Sequence, residues 1–188
     1  MAEEPFVLLL TGPAGAGKTT VAAQWASNRT SPTAHISLDD VRDFLKAGYA
    51  NPEDGWNEVT QSQYDLAREL CATMARRYVE SGITCAVDDA IFPDWPEVGY
   101  AGWVRALGDI PHALVVLLPR LEVARKRNDA GHDGHRRLGP ETLQTIYDDM
   151  LPWRDSAVPV IDNSELSVAE TVAEVNRALE EAPLAVHG

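Results

Sequence analysis

Short apolar segments alternate with longer segments of helical periodicity along this chain. Five apolar segments predict β-strands, at residues 6–11, 34–38, 84–88, 113–118 and 158–161. Their almost continuous apolar character is typical of strands that are covered on both faces. Strands that alternate with helices form βαβ units, so we predict an α/β fold with three layers, in which helices flank a five-stranded parallel sheet.

Two helices have the clearest apolar stripes. Between residues 61 and 80, apolar side chains recur at spacings of three and four: Ala67, Leu70, Cys71, Met74, Ala75, Tyr78 and Val79. In the last helix, Ser167 and Glu170 have the spacing of a capping box, and Val168, Val172, Val175 and Leu179 follow on one face. Both stripes are predicted to pack on the sheet and to have no role in chemistry.

Composition narrows the class of protein. The 188 residues, 45% of them hydrophobic, predict a single soluble domain over residues 1–188. A formal net charge of -13 argues against nucleic acid and anionic membranes as partners. No targeting segment is visible, and the two cysteines lack a metal-binding or redox spacing, so we expect reduced core thiols in a cytoplasmic protein. The oligomeric state stays open.

Residues 12–19 match the pattern G-x-x-x-x-G-K-[ST] of a phosphate-binding loop. The match follows an apolar strand and precedes a helical segment at residues 20–27, which is the context that the motif requires. Such a loop turns its backbone N–H groups toward phosphate oxygens. The pattern therefore predicts ATP or GTP as ligand, with Lys18 on the β- and γ-phosphates and the Thr19 hydroxyl on Mg²⁺. The predicted nucleotide-binding residues of this segment are Gly12, Pro13, Ala14, Gly15, Ala16, Gly17, Lys18, Thr19 and Thr20.

Two pairs of aspartates stand where predicted strands end. Asp39 and Asp40 follow the second strand, and Asp88 and Asp89 end the third. Ligands of open α/β sheets bind at this edge, where phosphoryl transfer needs one acid to deprotonate the acceptor and another near Mg²⁺. We assign Asp39 as the base and Asp88 as the metal residue beside Thr19, although the pattern does not settle which member of each pair acts.

Basic residues concentrate between positions 120 and 137. They are Arg120, Arg125, Lys126, Arg127, Arg136 and Arg137. Residues 128–139 are polar, contain several glycines and lack apolar periodicity, so we predict a mobile lid there. Its arginines would stabilise charge on the transferred phosphoryl group. We expect Arg127 and Arg136 to be catalytic and Arg125 to bind the nucleotide, with Arg137 as an alternative.

These motifs, taken in order, resemble the P-loop small-molecule kinases, and within them most the chloramphenicol phosphotransferases. The resemblance covers nearly the whole chain at the level of motif order and implies a P-loop NTPase fold with an adenylate-kinase-like lid. In those kinases the carboxylate after the second strand activates the acceptor hydroxyl, and its match here is Asp39. The usual lid has two arginines four residues apart, whereas Gly131 stands four residues after Arg127.

The run from Ser37 to Arg42 is also similar to the Asp-x-x-Arg signature of polynucleotide 5′-kinases. There the Asp is the base and the Arg engages the acceptor or the reactive phosphate. Asp40 is in addition the expected N-cap of a short helix at residues 41–47. The predicted acceptor-binding residues are Asp40, Arg42, Trp56 and Asp89.

Residues 39–64 and 89–103 are expected to form the acceptor pocket. Trp56, Tyr64, Trp95 and Tyr100 are candidates for its aromatic walls, with ordinary packing as the alternative for each of them. The leading hypothesis is an ATP- or GTP-dependent kinase of a small-molecule hydroxyl, an antibiotic being one candidate acceptor. The alternatives are a polynucleotide or nucleoside 5′-kinase and a regulatory NTPase without an acceptor.

Overall fold

The sheet has the predicted architecture. A computed structural model describes residues 4–96, 98–131, 137–181 and 184–185. Five parallel strands stand in the order β2-β3-β1-β4-β5. Their bounds are β1 Val7–Thr11, β2 Thr33–Ser37, β3 Thr84–Asp88, β4 His112–Leu117 and β5 Val160–Ile161. The helices are α1 Lys18–Ser27, α2 Leu38–Arg42, α3 Glu58–Glu80, α4 Tyr100–Leu107, α5 Leu121–Gly131, α6 Pro140–Met150 and α7 Val168–Glu181.

The central strand β1 divides the core into two halves because successive side chains of a strand point to opposite faces. Val7 and Leu9 pack with α3, α4 and α6, whereas Leu8 and Leu10 pack with α1 and α7. All four side chains have no exposed surface. The alternation of helices and continuously apolar strands therefore produces the three predicted layers.

The helical stripes are only partly as predicted. The buried face of α3 is narrower than the predicted apolar stripe, since Leu70 and Tyr78 are 45% and 40% exposed. The capping box of α7 is confirmed, because the Ser167 hydroxyl accepts from the Glu170 N–H and the Glu170 carboxylate accepts from the Ser167 N–H. Both cysteines are buried free thiols, and burial raises the pKa of Cys85 to about 12.

Two predicted segments differ in the structure. The short helix after β2 begins at Leu38 and ends at Arg42, with Ser37 at its N-cap position, so the prediction of Asp40 as N-cap is wrong. Residues 128–131 of the predicted lid are the last turn of α5. This turn is held because the Asn128 side chain pairs with both the N–H and the carbonyl of Leu138, at 3.2 and 3.0 Å. Residues 132–136, including Arg136, lie outside the described residues.

The topology brings the carboxyl ends of β1, β2 and β3 together, since β1 and β2 both pair with β3. The phosphate-binding segment and both aspartate pairs follow these ends. Over the described ranges, no helix has the length and apolarity needed to cross a membrane.

Candidate active site

The phosphate-binding segment forms a tight loop between β1 and α1. Gly12, Gly15 and Gly17 have positive φ angles of 148°, 75° and 91°, a region that side chains disfavour. A Cβ on Gly12 would lie 2.1 Å from the carbonyl oxygen of Leu117, and one on Gly15 would lie 2.1 Å from that of Ala124. The loop can therefore close only because these positions carry no side chain, and it leads directly into the N-terminus of α1, where unpaired N–H groups favour anions.

A cleft of about 410 Å³ lies over this loop. It is lined by the loop from Ala14 to Thr20 and, on the other side, by Arg127, Gly131, Asn163, Leu166, Val168 and Thr171. Asn163 joins the two sides of the cleft. Its side-chain Nδ2 donates to the backbone carbonyl of Ala16, and its backbone carbonyl accepts from Arg127 Nη2, each at 3.0 Å. The cleft can hold a nucleotide whose phosphates lie on the loop.

Oxygen atoms converge beside the loop at the end of β3. Asp88 Oδ1 accepts hydrogen bonds from the hydroxyls of Thr19 at 2.7 Å and Ser37 at 3.3 Å, and its Oδ2 lies 2.6 Å from Nε2 of His35. Among the residues that the structure describes, no three His, Cys, Asp or Glu side chains form a metal cluster. One hydroxyl and one carboxylate suit Mg²⁺, which takes few protein ligands and binds mainly phosphate and water oxygens.

A second cavity, of about 280 Å³, adjoins the nucleotide cleft. The two share Ala14, Lys18 and Asp39 in their walls. Lys18 Nζ donates to the Pro13 carbonyl at 3.2 Å. The second cavity is otherwise walled mainly by apolar and aromatic side chains: Leu38, Tyr49, Pro52, Trp56, Tyr64, Phe92, Trp95, Val98, Leu138 and Ile146. Lys18 and Asp39 therefore stand at the junction between a phosphate site and an apolar pocket.

The walls of the second cavity come from both predicted acceptor regions. Trp56, Tyr64 and Trp95 line it, whereas Tyr100 packs against the His112 ring at 5.9 Å and is not among the described lining residues. Tyr49, Asn51, Glu53 and Phe92 lie in the predicted regions but were not singled out, and sequence reasoning missed the contribution of α6 through Thr142, Thr145 and Ile146. Of these residues, only Asn51 could have been recognised from the sequence, because an Asn before a proline is typical of the start of a turn, here Pro52–Asp54.

Asp89 is part of the framework of this cavity. It is 6% exposed, and its carboxylate accepts hydrogen bonds from the Tyr64 hydroxyl, from Trp103 Nε1 at 2.8 Å and from the Ala90 N–H at 2.6 Å. Burial raises the pKa of the Asp89 carboxyl above its usual value. Asp89 also lines the cavity, so its role in acceptor binding stays a prediction, although protein donors already bind its carboxylate.

The charged residues of α2 divide between the cavity and solvent. Asp39 and Arg42 line the cavity, with 3.8 Å between Asp39 Oδ1 and Arg42 Nη1. The Arg42 guanidinium is almost buried and stacks 4.9 Å from the centre of the Tyr49 ring. Asp40 is exposed in the first turn of α2 and is not among the described lining residues.

The basic residues of the predicted lid lie in different environments. Arg127 lines the nucleotide cleft. Arg125 is exposed and donates to Gln144 at 2.6 Å, and Arg137 pairs with Asp129 at 3.0 Å on the surface. Among the described lid arginines, Arg127 is the one that lines the cleft over the phosphate loop, and the roles of Arg125, Arg127 and Arg136 stay predictions.

Comparison with known proteins agrees with this geometry. Residues 7–143 match the family AAA_33, which is described as an AAA domain. The chain belongs to this family. None of the curated proteins matches the AAA_33 chain.

Solved structures share its fold at low sequence identity. Shikimate kinase from Acinetobacter baumannii in complex with shikimate is 18% identical, with a TM-score of 0.64 and coverage of 95% of both chains. Thymidylate kinase from Candida albicans is 12% identical, with a TM-score of 0.68 and coverage of 98% of this chain and 99% of that one. A sugar kinase from Janibacter sp. HTCC2649 is 15% identical, with a TM-score of 0.61 and coverage of 95% and 96%. The AAA_33 chain therefore has the fold of P-loop kinases.

Proposed function

We propose that this protein is a kinase that transfers the γ-phosphoryl group of ATP or GTP to a hydroxyl group of a small molecule. The observation that carries the proposal is the junction at Lys18 and Asp39, where a phosphate-loop cleft meets a second cavity. A donor in one and an acceptor in the other would place the reacting atoms side by side, which is the largest requirement of phosphoryl transfer.

The chemistry follows from the groups at the junction. Asp39 accepts the proton of the acceptor hydroxyl as its oxygen attacks the γ-phosphorus. The new O–P bond forms, the bond between the γ-phosphorus and the bridging oxygen breaks, and its electron pair leaves with the nucleoside diphosphate. Lys18 and Arg127 stabilise the charge on the phosphate oxygens. Mg²⁺ bound beside Thr19 and Asp88 would neutralise charge on the β- and γ-phosphates.

The second cavity favours this proposal over a regulatory NTPase and over a polynucleotide 5′-kinase. A regulatory NTPase needs no apolar pocket beside its γ-phosphate site. A polynucleotide 5′-kinase needs a basic track for the strand, whereas the described charged residues around the cavity include Asp39, Asp43 and Glu53 against Lys18 and Arg42. An antibiotic with a free hydroxyl remains one candidate acceptor.

The direct test is a screen of hydroxyl compounds, antibiotics, nucleosides and 5′-hydroxyl oligonucleotides for acceptor-dependent release of ADP or GDP. Asp39→Asn should lower the maximal rate about 10²–10⁴-fold and leave nucleotide affinity nearly unchanged, because the general base acts only in transfer. Asp40→Asn is the matched control in the same turn and should stay active. Nucleotide hydrolysis that no acceptor stimulates, or an inactive but folded Asp40→Asn protein, would contradict the proposal.

A further inference from the structure

The two oxygens of the Asp88 carboxylate have different partners. Oδ1 accepts from the Thr19 hydroxyl at 2.7 Å and from the Ser37 hydroxyl at 3.3 Å. Oδ2 lies 2.6 Å from Nε2 of His35, and because an ionised carboxylate can only accept, the hydrogen of this bond is on Nε2. Among the residues that the structure describes, His35 alone forms a hydrogen bond with Oδ2.

The register of the sheet brings His35 to this carboxylate. Strands β2 and β3 are parallel, with Ser37 opposite Asp88 and His35 opposite Ala86. Alternate residues of a strand share a face, so these four side chains lie on one face of the sheet, which is the face that α1 covers. Since the side chain of Ala86 is a single methyl group, the imidazole of His35 has room to reach along the strand to Asp88.

A hydrogen bond to Oδ2 restricts the rotation of the carboxylate. The χ2 torsion of an aspartate has broad minima, so an unrestrained carboxylate can present its oxygens in many directions. The side chain of Asp88 is 3% exposed, and its bond with His35 selects an orientation in which Oδ1 faces the Thr19 hydroxyl. Removal of such outer hydrogen bonds typically weakens metal binding by about 10–100-fold.

A purely structural role for this bond is the alternative. Strand β2 lies at the edge of the sheet, and the bond from His35 joins it to β3 in addition to the backbone ladder. The ladder already pairs all five residues of β2, so we assign the bond to the carboxylate rather than to the strand. A structural bond would change stability and leave metal binding as it was, so the two roles can be separated by experiment.

We propose that His35 is a positioning residue of the magnesium site, which holds Oδ2 of Asp88 so that Oδ1 is directed at Thr19 and at the Mg²⁺ of a bound nucleotide. The inference rests on the nucleotide and magnesium sites of the proposed function. It does not depend on the acceptor, and it can be measured by binding, without phosphoryl transfer.

The test measures how much Mg²⁺ improves nucleotide binding. Non-hydrolysable analogues of ATP and GTP are titrated into the protein by calorimetry, once with saturating Mg²⁺ and once with excess EDTA, and the analogue that binds more tightly is used for the variants. The ratio of the two dissociation constants is the Mg²⁺ effect. His35→Leu should lower the Mg²⁺ effect about tenfold and leave the affinity measured in EDTA unchanged.

Three further variants identify the hydrogen bond as the cause. His35→Gln has an amide that reaches about as far as Nε2 and can donate to Oδ2, so its Mg²⁺ effect should stay within about threefold of that of the natural protein. The amide of His35→Asn is too short for this contact, so this variant should behave like His35→Leu. Thr33→Val is the matched control, because Thr33 lies on the same face of β2 and its hydroxyl donates to the Ser31 carbonyl at 3.1 Å.

A double-mutant cycle shows whether His35 acts through Asp88. In an Asp88→Asn background, His35→Leu should change the Mg²⁺ effect by less than about twofold, because the carboxylate that it positions is gone. An equal loss in both backgrounds would overturn the inference, as would an undiminished Mg²⁺ effect in His35→Leu and His35→Asn. The proposed function would fail differently: the Mg²⁺ effects would follow the expected order, but no acceptor would be phosphorylated.

Discussion

The Thr19 hydroxyl donates a hydrogen bond to Oδ1 of Asp88 at 2.7 Å, although 69 residues separate the two along the chain. This bond joins the first turn of α1 to the end of β3. It places a hydroxyl and a carboxylate oxygen side by side at the phosphate loop, where Mg²⁺ would be bound.

Asp88→Asn should therefore raise the Mg²⁺ concentration needed for half-maximal activity by about 10–100-fold, because the amide removes the negative charge from the metal site. Titration of activity with Mg²⁺ at saturating nucleotide measures the effect. Ser37→Ala removes only the longer 3.3 Å bond to Asp88 and serves as the control. An unchanged Mg²⁺ requirement in Asp88→Asn, with a changed one in Asp89→Asn, would move the metal residue to Asp89.

Arg127→Ala should lower the maximal rate by about 10²–10³-fold, and by more than it lowers nucleotide affinity, because the phosphate charge that we propose it stabilises grows in the transition state. Lys126→Ala is the matched control on the same helix, since Lys126 is exposed and has no predicted role at the site. Rates and nucleotide dissociation constants should be measured for both proteins. Equal losses in rate and affinity for Arg127→Ala would make it a clamp on the bound nucleotide.

Gly15→Ala and Gly17→Ala separate backbone strain from steric clash. Both positions have positive φ, which costs about 1–2 kcal/mol for a residue with a Cβ. The new Cβ meets the Ala124 carbonyl at 2.1 Å in Gly15→Ala, but nothing closer than 4.0 Å in Gly17→Ala. Gly15→Ala should lose about 1–3 kcal/mol more free energy of unfolding in urea than Gly17→Ala. Equal losses would show that the loop can move away from α5.

Tyr64→Phe should lower the free energy of unfolding by about 1–3 kcal/mol, because it removes a hydrogen bond from the buried carboxyl group of Asp89 and leaves the packing nearly unchanged. Denaturant unfolding measures the loss. Tyr78→Phe, at a tyrosine that is 40% exposed on the same helix, should change stability by less than about 0.5 kcal/mol. Similar values for the two variants would mean that Asp89 does not depend on Tyr64.

The capping box of α7 should make stability depend on pH. Hydrogen bonds from Ser167 lower the pKa of Glu170 below its ordinary 4.5, so the folded state favours the charged carboxylate. The stabilisation is therefore present above pH 4.5 and is lost as the pH falls through the lowered pKa. The difference in stability between the natural protein and Glu170→Gln should shrink between pH 7 and pH 3. A difference that stays constant over this range would contradict the assignment.

Local sequence patterns were sufficient for the strands, the phosphate loop and the capping box, because each depends on residues that are neighbours along the chain. The start of α2 was not predictable in this way. Asp39 and Asp40 can each cap a helix, and the burial of Leu38 against the core lets the helix begin one turn earlier than the pattern of acids indicates.

The interior of the candidate site depends on tertiary contacts. Asp89 accepts hydrogen bonds from Tyr64 and Trp103, which are 25 and 14 residues away along the chain. No local sequence pattern therefore predicts that protein donors, and not water, bind its carboxylate. Glu53 and Tyr49 belong to a segment without apolar periodicity. This segment lines the second cavity only because α2 and α6 pack opposite it. The aromatic residues that line the cavity could equally have packed in the hydrophobic core, so their presence in the sequence does not by itself predict a pocket.

The contact of Gly15 with α5 has a consequence for local opening. The position where a Cβ would stand on Gly15 lies 2.1 Å from the Ala124 carbonyl and 3.0 Å from the Asn128 N–H. The phosphate loop thus rests on the backbone of the last two turns of α5, and those turns cannot unwind without releasing it. Local unfolding of these turns therefore also frees the loop, so a nucleotide bound to the loop should slow amide exchange in the last two turns of α5.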